Sequence, residues 1–232
     1  MKSKVNMKDK KDIKLKIFET AFEMYLENPT QFSVRNVAKE LKLSREQVYT
    51  HFTSKKAILR YFYQLCFEEY INQTNEIDRY SEFTLEEKLA HLVYTHIELF
   101  QKEKEFVEST FNEIIFKANA NNLFQKSLEK QVEIILDTSE GDASILPKKY
   151  LAMILVKELF HIFKFWIKDD SEKSENTIEL IDKIISFLGE ILSNQIITKG
   201  IDLGRTLWGQ NHTGLAPNDL KFLFNSFFNR FA

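Results

Sequence analysis

Apolar positions along this chain recur every three or four residues almost throughout, and strict alternation persists nowhere. From Asp12 to Glu27, Ile13, Ile17, Phe18, Ala21 and Met24–Tyr25 repeat at helical spacing until Asn28-Pro29 ends the run. Ser33 is placed to cap a second helix with Val34, Val37, Ala38 and Leu41 on one side. Leu43 fills a short turn. Ser44 then caps a third helix, and Gln47, three residues on, completes a capping box. Val48 and Phe52, four apart, form the inward side of this short helix. Ser54 opens a fourth helix, with Ala57, Ile58, Tyr61 and Leu65 inward, predicted to reach Ile77.

The remainder follows the same period. Thr84 and Glu87 make a second capping box, opening a helix predicted to end near Lys102. Further helices are predicted over 104–117, 121–137, 147–168 and 175–199, with Gly200 where a C-terminal glycine belongs. The stretch 201–216, with Gly204, Gly209 and Gly214, is irregular. Pro217 suits the first turn of a last helix ending in FLFNSFFNRF. The expected fold class is all-α.

Composition agrees with long helices: 232 residues hold 21 Phe but only 6 Gly and 3 Pro. The single cysteine, Cys66, cannot close an internal disulfide and fits a reducing compartment. The opening MKSKVNMKDKKDIK has no apolar segment behind its charges, so no signal peptide is expected. Tyr150–Ile167, the most apolar stretch, is interrupted by Lys157, Glu158, His161 and Lys164, and reads as a buried helix instead of a membrane span. The expected location is the cytoplasm.

Net charge changes the picture once it is divided. Residues 1–60 hold 14 Lys+Arg against 7 Asp+Glu, whereas the remaining 172 hold 18 against 27. One end is suited to a polyanion and the other is not, although charged helix faces are also simply solvated. Lys2, Lys4, Lys8, Lys10 and Lys11 have little to bury, so residues 1–11 are expected to form a flexible basic tail.

The second and third helices have helix-turn-helix length and polarity. The third turns Arg45, Glu46, Gln47, Tyr49, Thr50 and His51 away from Val48 and Phe52. Arg and Gln read base edges through paired hydrogen bonds, whereas Tyr, Thr, His and Lys suit phosphate oxygens. Arg35 and Lys39 extend the polar face from the second helix. Lys55 sits beside the open amides of the fourth, a pairing suited to phosphate.

These residues bring a family resemblance. FSVRNVAKELKLSREQVYTHFTSKKAIL, residues 32–59, resembles the DNA-binding signature of TetR-family (tetracycline-repressor-type) regulators, and IFETAFEMYLEN resembles that family's first helix. The specific part is Val48-Tyr49-x-His51-Phe52-x-Ser54-Lys55. The resemblance implies that Tyr49, His51 and Lys55 hold phosphates and that Arg45, Glu46, Gln47 and Thr50 lie on the recognition helix. Arg35 would approach a base. Glu46 either reads a cytosine amine or balances Arg45. Two departures stand out: Lys42 occupies the turn where the family usually has glycine, and Asn28-Pro29 replaces the glycine after the first helix.

The resemblance further implies a C-terminal helical domain that dimerises and holds a small-molecule pocket. Ile178, Ile181, Ile184–Ile185, Leu188, Ile191–Leu192 and Gln195–Ile196 make a stripe wide enough to meet a partner as well as its own subunit. Phe160, Phe163, Phe165 and Trp166 surround Glu158 and His161, and Phe106, Phe111, Phe116 and Phe124 come from other helices. Phe111, Glu158, His161 and Phe165 are the ligand candidates, and the phenylalanines favour a lipophilic effector. The C-terminal Phe222, Phe224, Phe227, Phe228 and Phe231 either pack on their own subunit, cap the pocket or extend the dimer contact.

Catalytic chemistry is not expected. His91 and His96 are five apart, which does not bring both to one side of a helix for a metal, and there is no phosphate loop or nucleophile elbow. No cofactor or metal is expected. The predicted division is a tail at 1–11, a helix-turn-helix domain at 12–65, and a ligand-binding and dimerisation domain at 66–232. The expected function is a ligand-responsive regulator, a repressor, binding a palindromic double-stranded DNA operator as a homodimer. The alternative is an architectural or partner-binding protein on the same scaffold without a small ligand.

Overall fold

The computed structural model describes the backbone of residues 2–117, 122–138 and 147–193, and side chains from residue 12 to residue 189 within those ranges. Among the described residues every regular element is helical: α1 (Lys2–Glu27), α2 (Val34–Glu40), α3 (Arg45–Tyr49), α4 (Lys55–Glu76), α5 (Leu85–Gln101), α6 (Lys104–Phe111), α7 (Leu123–Asp137), α8 (Lys148–Ile167) and α9 (Glu175–Ser193). No helix among them is long and apolar enough to cross a membrane. The chain divides into two compact units, residues 1–69 with 103–124, and residues 70–102 with 125–232.

Local sequence sets the helix starts. The Ser33 hydroxyl accepts from the Asn36 amide, and Ser54 Oγ accepts from the Ala57 amide at 3.1 Å. Both expected capping boxes form, Ser44 with Gln47 and Thr84 with Glu87. The Asn28 carboxamide oxygen accepts from the amide and hydroxyl of Thr30 at 3.0 and 2.7 Å, an Asx turn that ends α1 without glycine. The chain start differs from expectation. Helix α1 begins at Lys2, where residues 1–11 were expected to be a flexible tail. Lys and Met are strong helix formers, and an established helix extends at little cost per residue.

In the first unit α1 to α3 and the start of α4 enclose Ile17, Phe18, Ala21, Val37, Val48 and Ile58, all nearly or fully buried. Residues 103–124, expected to belong to the C-terminal domain, complete this core. Phe106 of α6 stands 4.8 Å from the Phe22 ring, 4.9 Å from Phe62 and 5.4 Å from Tyr25. Beyond α6 the predicted helix 104–117 widens into a π-helical turn, Asn112–Phe116. The Ile114 carbonyl of that turn accepts from Arg60 Nε at 3.1 Å, which satisfies a backbone group that the ordinary helical ladder would have used. Tyr63 and Thr110 share a 2.7 Å buried hydrogen bond, and burial pushes the tyrosine pKa upward.

In the second unit α5, α8 and α9 pack together around Leu92, Val156, Phe163, Trp166 and Ile181. The α8–α9 turn is tied by Asp169, whose carboxylate accepts from the amide and hydroxyl of Thr177 at 2.8 and 2.6 Å and from the hydroxyl of Ser171 at 2.6 Å. Lys148 meets Asp137 at 2.9 Å, linking the start of α8 to the end of α7. The stretch 201–216, the helix after Pro217 and the C-terminal phenylalanines lie outside the described residues.

Candidate functional site

The polar face begins in the α2–α3 turn. After α2 the amide of Leu43 donates to the Ala38 carbonyl at 2.8 Å, and that of Lys42 to the Lys39 carbonyl at 3.2 Å. This pair of bonds is a Schellman closure, which requires a left-handed residue between them. Lys42 takes that position with φ 55°. The turn therefore keeps the geometry glycine would give, at a cost in backbone strain of about 1 kcal/mol.

Val48, fully buried, and Phe52 anchor α3 from below. Arg45, Glu46, Gln47, Tyr49 and Thr50 are exposed, His51 is half-buried, and Arg35, Lys39 and Lys55 are exposed around them. All nine expected DNA-binding residues thus lie in one short stretch of the first unit. Their side chains are not equally available. The Gln47 carboxamide oxygen accepts from the Ser44 amide at 2.7 Å, which leaves its Nε2 as the outward group. The Thr50 hydroxyl donates to the Gln47 carbonyl at 2.6 Å, so it presents acceptor lone pairs and a methyl group. The Glu46 carboxylate is exposed beside its own amide and the Ser44 hydroxyl at the start of α3. The pull of those two groups, with Arg45, outweighs desolvation and lowers its pKa.

Two cations rest on aromatic faces. The Lys55 ammonium lies 4.6 Å from the Phe32 ring centre. Lys14, which the sequence reading did not single out, lies 4.2 Å from Tyr61 and 5.4 Å from Phe52. Partial burial lowers the Lys14 pKa against the opposing pull of Glu68. An i, i+4 pattern search does not find either stack, because each joins a lysine to a ring on another element.

The second unit holds a cavity of about 40 Å³ between α5, α7, α8 and α9. Its lining is aliphatic except for Glu158 of α8. Burial raises the Glu158 pKa, and Lys157 opposes the shift. Of the four expected ligand residues only Glu158 lines this space. His161 and Phe165 are half-buried on α8 outside the lining, and burial, then Lys157 and Lys164, lower the His161 pKa. Phe111 belongs to the first unit, fully buried, with its ring 5.8 Å from Tyr63. The described residues of 103–124, Phe111 among them, fold with the N-terminal helices. No cluster of three metal-ligating side chains occurs among the described residues.

A sequence profile of bacterial regulatory proteins of the tetR family matches residues 17–62, and one of the tetracyclin repressor-like C-terminal domain matches residues 88–207. The chain belongs to the TetR family. It is an all-helical, DNA-binding transcription regulator with the helix-turn-helix at α2–α3. A similar solved structure is the TetR transcriptional regulator from Nitrosomonas europaea ATCC 19718, with a TM-score of 0.54 and 15% identity, covering 75% of this chain and 96% of that one. At that identity the likeness concerns the fold. No curated protein sequence matches the chain. Within this TetR-family chain, α3 is the recognition helix by position. Lys42 is a departure in residue type that leaves the turn's hydrogen-bond closure in place.

Proposed function

We propose that the protein is a homodimeric repressor that binds a palindromic operator and is released by a small effector. One observation carries the DNA-binding assignment: a five-residue α3 that keeps Val48 buried and leaves its other side chains exposed. A helix this short contributes little to a core, and its exposed face fits a major groove. In this reading Arg45 and the outward Nε2 of Gln47 face base edges, and Thr50 offers its methyl to a thymine. Tyr49, His51 and Lys55 hold phosphates. Arg35 and Lys39 flank the groove from α2. Glu46 serves the helix terminus and sets no base preference of its own.

Dimerisation draws support from apolar side chains left outside the core of the second unit. Tyr150 and Met153 on α8 and Ile178 on α9 are 52%, 42% and 43% exposed. A two-fold contact through these helices would present two recognition helices to half-sites about 34–36 Å apart. Effector response rests on the cavity beside α8 and α9, because a ligand acts only through different affinities for two states of the dimer. The proposed regulator has no enzymatic step, and its place is the cytoplasm.

The test is selection of binding sites from random duplexes, followed by sedimentation of free and DNA-bound protein. A two-fold symmetric site bound by a dimer is expected. Selection of no preferred site, or a monomer at micromolar concentration, would overturn the corresponding part of the reading.

A further inference from the structure

Core packing on α1 starts well inside the helix. Ile17, Phe18 and Ala21 are buried, whereas Ile13, one turn earlier, is 40% exposed. The helix nevertheless begins at Lys2. Residues 2–13 make about 18 Å of helix ahead of that packing, at 1.5 Å per residue. Along it Lys4 and Lys8 are four apart, as are Lys10 and Lys14, while Lys8 and Lys11, and Lys11 and Lys14, are three apart. These five positions share one side of the helix, and Asp9 falls on the opposite side. Only Lys8 has an acid at either spacing, Asp12. Like charges three or four apart destabilise a helix. Glutamate forms helices about as well as lysine and would turn these repulsions into attractions, so helix formation does not account for the row.

Lys14 ties this row to the DNA-binding end of the first unit. Its ammonium lies 4.2 Å from the Tyr61 ring centre and 5.4 Å from that of Phe52. Phe52 directly follows His51, just beyond α3. We propose that the part of α1 ahead of Lys14 is a second DNA-binding element, in which Lys4, Lys8, Lys10 and Lys11 hold phosphates of the duplex whose groove α3 enters. Lys14 itself, set on two rings and under the pull of Glu68, marks the side and is not counted among the contacts. A duplex carries a charge about every 1.7 Å along its axis, so it relieves the whole row at once, where a single small anion would neutralise one lysine. Contacts of this kind carry no base preference and strengthen binding to every duplex. The element requires DNA binding through α3 and is independent of the dimer and of the effector.

Lys4→Gln, Lys8→Gln, Lys10→Gln and Lys11→Gln made together remove the row, and glutamine keeps a helix propensity close to that of lysine. A control variant places glutamine at Lys102, Lys126, Lys168 and Lys173, all exposed in the second unit, so that net charge changes equally. Both are compared with the full-length wild type by fluorescence anisotropy on one random-sequence duplex over a salt series. The α1 variant should reduce the slope of log affinity against log salt by about two to four and weaken binding at least about tenfold near 100 mM salt. The control should keep the wild-type slope to within about 0.5. Arginine at the four α1 positions keeps the charges and should also keep the slope. An α1 glutamine variant with the slope of the control overturns the proposal. A slope that falls with arginine as well assigns the loss to the helix instead of its charges and overturns it too. If the wild type binds no duplex, DNA binding through α3 falls along with the element, which separates that failure from the other two.

Discussion

The Lys55 ammonium at the start of α4 lies 4.6 Å from the centre of the Phe32 ring, and that ring is 1% exposed. A core residue thus holds a surface cation at the helix terminus proposed to meet phosphate. An ammonium stacked on a ring loses little freedom when an anion arrives. Lys55→Ala should weaken binding to all duplexes alike and lower the salt slope of binding by about one ion, measured by fluorescence anisotropy over a salt series. Phe32→Leu keeps an apolar side chain in the core and removes the ring. It should weaken DNA binding less than Lys55→Ala does. Combined with Lys55→Ala it should add nothing to the loss of affinity. An additive effect would show that Phe32 acts on the fold and not through the lysine.

Gln47 has two tasks that substitution can separate. Its carboxamide oxygen completes the capping box, while its Nε2 faces outward. Glutamate also completes such a box but offers no donor. Gln47→Glu should keep thermal stability within about 0.5 kcal/mol and weaken operator binding. Gln47→Ala should lose about 1 kcal/mol of stability and relax preference at particular base positions. Thermal unfolding and competition with single-base operator variants give the two readouts. If Gln47→Ala binds every operator variant as the wild type does, Gln47 reads no base.

Lys42 tests what the turn demands. Its φ of 55° lies in the left-handed region, where a side chain costs about 1 kcal/mol relative to glycine. Lys42→Gly should therefore stabilise the protein by roughly 0.5–1 kcal/mol, less the extra freedom glycine gives the unfolded chain. Urea unfolding measures this as a higher midpoint with an unchanged slope. Because Leu43 and Lys42 already close the turn through Ala38 and Lys39, the angle of α3 should persist and operator preference should be retained.

The parts legible in the sequence are those governed by neighbours along the chain. Ser33, Ser44, Ser54 and Thr84 cap helices within three residues of themselves, and Val48 and Phe52 face inward by helical period. Phe106 and Phe111 show the limit. A phenylalanine stripe looks the same whichever core it enters, and only the fold sends residues 103–124 to the N-terminal helices. On α8, chemistry alone groups Glu158 with His161, and the helical period separates them. At about 100° per residue, Leu155, Leu159 and Ile162 centre on the cavity side of the helix, with Glu158 at its edge. His161 lies about 60° further round, away from it. The Lys14 and Lys55 stacks and the Asp169 turn depend on distances through space or on several weak local donors, which no simple spacing rule encodes.

Asp169 makes the last prediction. It is 7% exposed, and burial alone would raise its pKa. Hydrogen bonds from Ser171 and Thr177 outweigh burial and hold the value at about 2, against an ordinary 3.8. A folded-state pKa below the unfolded one means stability that is fully present above about pH 4 and is lost as pH falls through 2. The carboxylate lies near the surface, so solvent screening keeps its contribution to roughly 1–2 kcal/mol. Asparagine retains one acceptor oxygen but turns an amino group toward the Thr177 and Ser171 donors. Asp169→Asn should therefore cost about that amount at neutral pH, with the gap to wild type narrowing by roughly half near pH 3. Urea unfolding at the two pH values measures both terms. Because Thr177 is in the first turn of α9 and is 1% exposed, the loss should also appear as faster amide exchange at the start of α9. A pH-independent gap would mean that Asp169 acts through the shape of the turn and not through its charge.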